Sequence, residues 1–239
     1  MNIIIPMAGK STRFFNAGYT DFKYKLKAGN KSLFSHSLES FKDYFSNSTF
    51  YFGYIGEYVD SNFLTKEVTN LGITNFQLID LVEDTSGQAE TVHEILKEVI
   101  DDSPIIIFNI DTKLSFFRFE DKFQDLDGYV EVFKGHGDHW SFIKLDKNNN
   151  IVEVAEKKRI SDLCSNGLYV FKNKKIYNNA YHLFYRDGVL VNNETFIMPM
   201  YNYLIKENRK IGYKLVDINS HDFFGTPNEY EDFKTKIEI

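Results

Sequence analysis

Disulfide chemistry is the first thing this chain excludes: its single cysteine, Cys164, has no partner for an intramolecular bridge and offers no Cys-rich metal site. A reducing, cytoplasmic setting fits that composition. Four prolines and 14 glycines form no Pro-, Gly- or Ser-rich linker along which the chain could divide, and no internal repeat is visible. One domain over residues 1–239 is therefore expected. No window approaches the roughly 18 consecutive apolar residues of a membrane span, and no basic segment followed by an apolar one opens the chain. A soluble protein without a membrane partner is predicted. Basic excess is also lacking: 28 Lys plus Arg stand against 34 Asp plus Glu, a formal charge of -6, which argues against nucleic acid as a partner. The six histidines show no metal-ligand spacing.

What is present is an ordinary globular composition, 43% hydrophobic and 26% charged, in a chain long enough to bury a sizeable core. The 23 Phe and 15 Tyr are scattered, so they read as core and surface residues rather than as a base-stacking platform. Strand-like runs at 2–6, 49–55, 76–82 and 105–108 alternate with helical spacings at 32–45, 57–70 and 87–100. This alternation predicts an α/β fold with a mainly parallel sheet, helices on both faces, and ligands at the carboxyl ends of the strands. After residue 125 the character changes. Runs at 128–134, 140–145, 151–155 and 167–172, joined by turns such as Asp146 to Asn150, predict a smaller antiparallel part. Helices near 174–185 and 195–206 and a strand at 211–217 follow, and Thr226, Pro227 and Glu229 form a capping-box pattern that opens a last helix.

The first strand runs into a loop suited to phosphate. Residues 4–14 read IIPMAGKSTRF; Ala8, Gly9, Ser11 and Thr12 are small enough for backbone N–H groups to approach phosphate oxygens, and Arg13 adds a planar cationic fork. Nucleotide chemistry is the resulting expectation. Asp111 closes the apolar run IIIFNID at 105–111. A carboxylate at the carboxyl end of a central parallel strand can hold Mg2+ beside phosphates, since one or two carboxylates plus phosphate oxygens are its usual ligands. The alternative is an Asp that starts a turn.

IPMAGKSTRF with Lys23 ten residues after Arg13, then SGQAETV at 86–92, IIIFNID at 105–111, VAEKKRIS at 154–161, SNGLYVF at 165–171 and FGTPNEY at 224–230, cover nearly the whole chain. In this order they resemble the sugar-nucleotidyltransferase family, which includes sugar-1-phosphate thymidylyl-, uridylyl- and cytidylyltransferases and phosphocholine cytidylyltransferases. The C-terminus, without hexapeptide repeats, resembles the compact members. The resemblance implies a Rossmann-like, GT-A-type fold, with 1–125 mainly nucleotide-binding and 126–239 mainly acceptor-binding. It implies attack of a phosphomonoester oxygen on the α-phosphorus of a nucleoside triphosphate, pyrophosphate leaving, to give an NDP-linked precursor for cell-surface glycans such as capsule or lipopolysaccharide. Arg13 would bind the departing phosphates and Lys23 the triphosphate near the reacting phosphorus, with Ala8, Gly9, Ser11 and Thr12 around it. Gly87 and Ala89 would meet the base edge, although Thr85 and Gln88 also fit a capping box that simply starts a helix. Lys157, preceded by Glu156, would hold the acceptor phosphate; Gly167 would give the acceptor room, and Asn166 and Glu194 would contact it. Asp111 and Asp222 would be the Mg2+ ligands. CTP or UTP/dTTP as the nucleotide, a sugar 1-phosphate or phosphocholine as the acceptor, and the oligomeric state stay open.

Three positions depart from the family pattern. Ser11 stands where the loop usually has Gly, so that residue must avoid positive φ or carry strain. Phe22 and Tyr24 flank Lys23 where prolines are usual, which predicts a less rigid segment. Phe223 takes the place of an Asp two residues before Gly225, leaving Asp222 one position early, and neighbouring His221 reads as incidental. These departures keep two other readings in view: a nucleotide-sugar-dependent GT-A glycosyltransferase and a catalytically idle NTP-binding domain.

Overall fold

The computed structural model describes residues 1–238. Its framework is a nine-stranded sheet whose main path runs Ile151–Glu156, Ser141–Leu145, Leu163–Phe171, Ile105–Phe108, Asn2–Pro6, Thr49–Tyr54, Phe76–Asp80. Gly128–Lys134 also pairs with Leu163–Phe171 and carries Ile211–Leu215 beside it. Asn2–Pro6 lies parallel to both its neighbours, Ile4 standing opposite Tyr51 on one side and Ile107 on the other. Leu163–Phe171 runs antiparallel to Ile105–Phe108, Gly128–Lys134 and Ser141–Leu145. It and Ile151–Glu156 are the two strands that oppose the common direction. The expected mixed, mainly parallel sheet with an antiparallel part is what forms.

Strands covered on both faces need apolar residues at every position, not at alternate ones. Ile3, Ile4 and Ile5, and Ile105 to Phe108, are accordingly all fully buried. Ile4, Ile105 and Ile107 face a layer formed by Gln88–Ile95, Lys174–Arg186 and Tyr201–Lys206, with Val92, Ile95, Tyr177 and Tyr201 in its core. Ile3, Ile5, Ile106 and Phe108 face the other way, onto Phe34, Leu38, Phe41, Leu64 and Val68. Each such side chain contributes about 1.5–3 kcal/mol by leaving water. Among the described residues, no helix is long and apolar enough to cross a membrane.

Several elements differ from the sequence reading, each for a tertiary reason. The helix expected over 32–45 is α-helical only at Leu33–Leu38 and continues as a 3-10 segment, Glu39–Tyr44, with Phe41 off helical geometry at φ -111°. There Ser40 is drawn away, its Oγ accepting from Leu114 N–H at 2.9 Å and its carbonyl from Phe117 N–H at 2.9 Å. The helix expected from 57 starts at Ser61, where Asp60 caps it by accepting from Asn62 N–H at 2.9 Å. The helix expected over 87–100 is Gln88–Ile95, and that over 195–206 shrinks to Met198–Met200 in 3-10 form and Tyr201–Lys206. The last helix, Pro227–Glu238, has its expected capping box: Thr226 N–H donates to Glu229 Oε2 at 2.8 Å and Glu229 N–H to Thr226 Oγ1 at 3.3 Å. Two small antiparallel pairs were not expected, Thr112–Leu114 with His221–Phe223 and Lys27–Ala28 with Lys31–Ser32.

Candidate active site

The loop expected to bind phosphate leaves the sheet after Met7, whose N–H still continues the ladder to Gly53 O at 2.8 Å. Ala8 is half-buried, while Gly9, Lys10, Thr12 and Arg13 are exposed. A Cβ added at Gly9 would meet nothing within 4 Å, so protein packing does not require the glycine there. Ser11 takes the left-handed conformation, φ 53° and ψ 28°, at the start of the helix Thr12–Asn16. That costs a non-glycine residue about 1–2 kcal/mol. Its side chain offsets part of this by accepting from Lys23 N–H at 3.1 Å, a bond glycine could not make, and so ties the loop to the next functional segment. Arg13 makes no ion pair among the described residues.

Lys23 and Asp111, 88 residues apart, meet at 2.6 Å at the carboxyl end of Ile105–Phe108, both part-buried. The aromatic flanks of Lys23 do not leave it loose. Phe22 stacks on Tyr24 (5.8 Å between centroids) and on Tyr58 (5.2 Å), and Phe15 meets Phe22 edge-on at 5.1 Å. Packing thus supplies the rigidity that proline would supply through φ. Asp111 lies beneath the Gly225 turn, where a Cβ would come within 3.0 Å of its Oδ2 and 3.6 Å of Glu229 Oε2. Lys10, unassigned by the sequence reading, is tied to Asp84 at 2.5 Å, and Tyr58 Oη also donates to Asp84. These contacts raise the Lys10 pKa and lower that of Asp84.

Asp222, expected as a second metal ligand, is instead engaged by Lys236 of the C-terminal helix at 2.5 Å. Its register opposite Lys113 puts it on the strand His221–Phe223, and its neighbour His221 turns inward. Among the described residues no group of three or more His, Cys, Asp or Glu side chains is placed to hold a metal. One part-exposed carboxylate, Asp111, beside a phosphate loop fits Mg2+ completed by substrate phosphates and water rather than by a protein cage.

In the second half of the chain, Lys157 adopts φ 52° and its ammonium lies 4.2 Å from the Phe196 ring centroid and 4.0 Å from Glu194 Oε2. Lys157 and Glu194 are therefore brought together. Gly167, at φ 87°, lies against Asn109, where a Cβ would be 2.7 Å from Nδ2, and Gln88 Nε2 donates to Asn109 Oδ1. Glu156 accepts from Ser141 Oγ, and burial pushes its carboxyl pKa up.

Two expected ligand contacts are corrected. Asn166 is 1% exposed and spends its amide internally: Nδ2 lies 3.1 Å from Glu131 Oε2 and 2.9 Å from His221 Nε2, while Oδ1 accepts from Leu168 N–H at 3.1 Å. Burial raises the Glu131 pKa and lowers that of His221, so this is a core network rather than an acceptor contact. Ala89 is fully buried, its N–H donating to Thr195 O at 3.2 Å and its carbonyl accepting from Tyr177 Oη at 2.7 Å, which leaves nothing for a base edge. Gly87 is the N-cap residue, and the capping box expected from Thr85 and Gln88 does not form. Its close neighbour is the backbone of Thr195.

The loop after the first strand, Lys23 and Asp111 thus gather at the carboxyl ends of the parallel strands of a Rossmann-like sheet. The nucleoside-diphosphate-sugar pyrophosphorylase of Vibrio cholerae RC9 is 43% identical to this chain, covers 98% of it over 99% of its own length, and superposes with a TM-score of 0.92. The chain belongs to that family of sugar-phosphate nucleotidyltransferases and is an enzyme. A UDP-glucose pyrophosphorylase complexed with UDP-glucose (16% identity, 99% and 98% covered, TM-score 0.74) shares the fold. So does the inositol-1-phosphate CTP transferase of T. maritima (12% identity, 99% and 95% covered, TM-score 0.73). No protein-family model matches the chain. No curated protein matches it either.

Proposed function

We propose that this enzyme joins a nucleoside triphosphate to a sugar phosphate, or to another small phosphorylated alcohol, releasing pyrophosphate. The observation that carries the reading is the 2.6 Å contact of Lys23 with Asp111, because it draws together the phosphate-loop segment and the strand-end carboxylate that such a reaction needs. An acceptor phosphate oxygen forms a bond to the α-phosphorus, the bond from that phosphorus to the bridging oxygen breaks, and pyrophosphate leaves with the electron pair. Little covalent work falls to the protein; alignment and charge neutralisation carry the rate.

Arg13 receives the β- and γ-phosphates, and the backbone of Ala8, Gly9, Ser11 and Thr12 lines their path. Lys23 transfers its ammonium from Asp111 to the α-phosphate region, which frees the carboxylate. Asp111 would then hold Mg2+, whose charge helps neutralise the leaving pyrophosphate. Lys157 grips the acceptor phosphate, with Glu194 at its edge; Gly167, expected to give the acceptor room, instead faces Asn109, and that contact is what requires the glycine. Residues 1–125 form the nucleotide side and 126–239 mainly the acceptor side. The single buried, unbridged Cys164 supports a cytoplasmic location, and an NDP-sugar product fits supply of cell-surface glycan precursors.

The test is pyrophosphate release from CTP, UTP, dTTP, ATP and GTP against a panel of sugar 1-phosphates and phosphocholine, in magnesium. Release that requires both substrates is expected. Sugar transfer from an NDP-sugar with no reaction of any triphosphate would instead indicate a glycosyltransferase, and tight triphosphate binding without release an idle domain.

A further inference from the structure

Helix Gln88–Ile95 begins with a residue that has no side chain to cap it, Gly87. The first N–H groups of a helix have no intrahelical partner and need one from elsewhere. Here it comes from 105 residues further along the chain: Glu90 N–H donates to Thr195 Oγ1 at 3.4 Å, and Ala89 N–H to Thr195 O at 3.2 Å. Thr195 N–H in turn donates to Ser86 O at 2.8 Å. The approach is close enough to exclude a side chain at Gly87, where φ is 143° and a Cβ would stand 2.5 Å from Thr195 O and 2.6 Å from Thr195 N.

The residues on either side of Thr195 turn to the acceptor side instead. Phe196 places its ring under the Lys157 ammonium at 4.2 Å, and Glu194 approaches the same group at 4.0 Å. Beyond them, Ile197 and Met198 are fully buried and hold the segment in the core. An aromatic face attracts an ammonium without occupying its N–H donors, so a lysine resting on it is oriented yet free to bind an anion. Glu194 is 58% exposed, and water weakens its hold on the charge.

We propose that Phe196 is the positioning residue for Lys157, and that Thr195 fixes Phe196 to the helix on the nucleotide side, so that Glu194–Phe196 sets the spacing of the two half-sites. This deepens the function proposed above and rests on Lys157 as the acceptor-phosphate ligand. A flexible lysine alone would sample many positions; the ring narrows them to the one in which the ammonium rests on its face.

Calorimetric titration of the full chain, with glucose 1-phosphate as the phosphomonoester probe and separately with CTP and UTP in magnesium, measures both half-sites without requiring turnover. Phe196→Leu should weaken glucose 1-phosphate roughly tenfold while triphosphate affinity stays within about twofold. Phe196→Tyr, which keeps the ring face, should restore it. Thr195→Val, which removes the hydroxyl that caps the helix, should weaken both ligands. Phe196→Met, close in volume, serves as the second variant if Leu lowers the melting temperature. Unchanged acceptor binding in Phe196→Leu, or equal loss of both ligands, overturns the proposal, provided that Lys157→Ala weakens the acceptor. If Lys157→Ala leaves the acceptor untouched, the assignment of Lys157 itself fails and the positioning role falls with it.

Discussion

The two ends of the site are built differently. On the side we propose for the nucleotide, the loop, its left-handed Ser11 and Lys23 come from one stretch of chain, joined by the 3.1 Å bond from Lys23 N–H to Ser11 Oγ and met by Asp111 from the turn after Ile105–Phe108. On the side we propose for the acceptor, Lys157 comes from one segment and Glu194 and Phe196 from another, and a carboxamide expected there, Asn166, is engaged by the core. The first arrangement is local backbone geometry within one short loop. The second depends on long-range packing, with Thr195 held against Gly87 and Phe196 beside Lys157.

The largest expected effect probes what the two ends share. Asp111→Asn removes the carboxylate charge without removing core volume, so pyrophosphate release should fall by about 10²-fold or more with the melting temperature nearly unchanged. Near-normal activity with the same magnesium dependence would sink its role as metal ligand. Arg13→Ala and Lys157→Ala should then separate the ends. Loss of a charge-assisted phosphate contact is worth roughly 1.5–3 kcal/mol. For Arg13 it should lower the rate with every triphosphate alike, since phosphates carry no base identity; a loss confined to one base would contradict the assignment. For Lys157 it should appear in acceptor affinity alone, and equal weakening of triphosphate would move Lys157 to the other side of the comparison.

Acid should test the packing of both halves of the chain. Burial lowers the pKa of His36, His93 and His221 below the ordinary 6.5. Below 6.5 the unfolded chain takes up protons that the folded chain refuses, so stability is complete above that pH and is lost as pH falls toward the depressed values. The melting temperature should therefore drop between neutral pH and pH 6 to 5; a flat profile would show that these rings titrate normally. The smallest effect belongs to the loop beside the nucleotide side. Val82 is 79% exposed at φ 64°, which a β-branched residue tolerates poorly. Val82→Gly should stabilise by about 1 kcal/mol, or about 2–4 °C for a domain of this size.

The same contrast explains how much was legible beforehand. The sheet's apolar runs, the loop that follows the first strand, the last helix's capping box and the residues Lys23 and Asp111 lie in contiguous patterns whose physics is local, and the structure brings Lys23 and Asp111 into contact. Asn166 and Ala89 were misjudged because a polar or small residue near a motif reads alike whether it faces a ligand or the core. Only the partners decide, and Glu131, His221, Tyr177 and Thr195 are all distant in sequence. Residues from 195 onward have an apolar spacing that favours helix, yet Thr195 forms a bridge with Gly87 instead. Gly87 was the available signal, since a glycine opening a helix implies close approach by another backbone.

The cap that Thr195 places on Gln88–Ile95 also has a consequence in time. A ribosome adding roughly 5–20 residues per second delivers Thr195 about 5–20 s after Glu90, the separation being 105 residues. Until then the first N–H groups of Gln88–Ile95 lack their Thr195 partner, although Lys157, 38 residues before Thr195, has already been added. A residue of the last third of the polypeptide thus completes a helix start in its middle third.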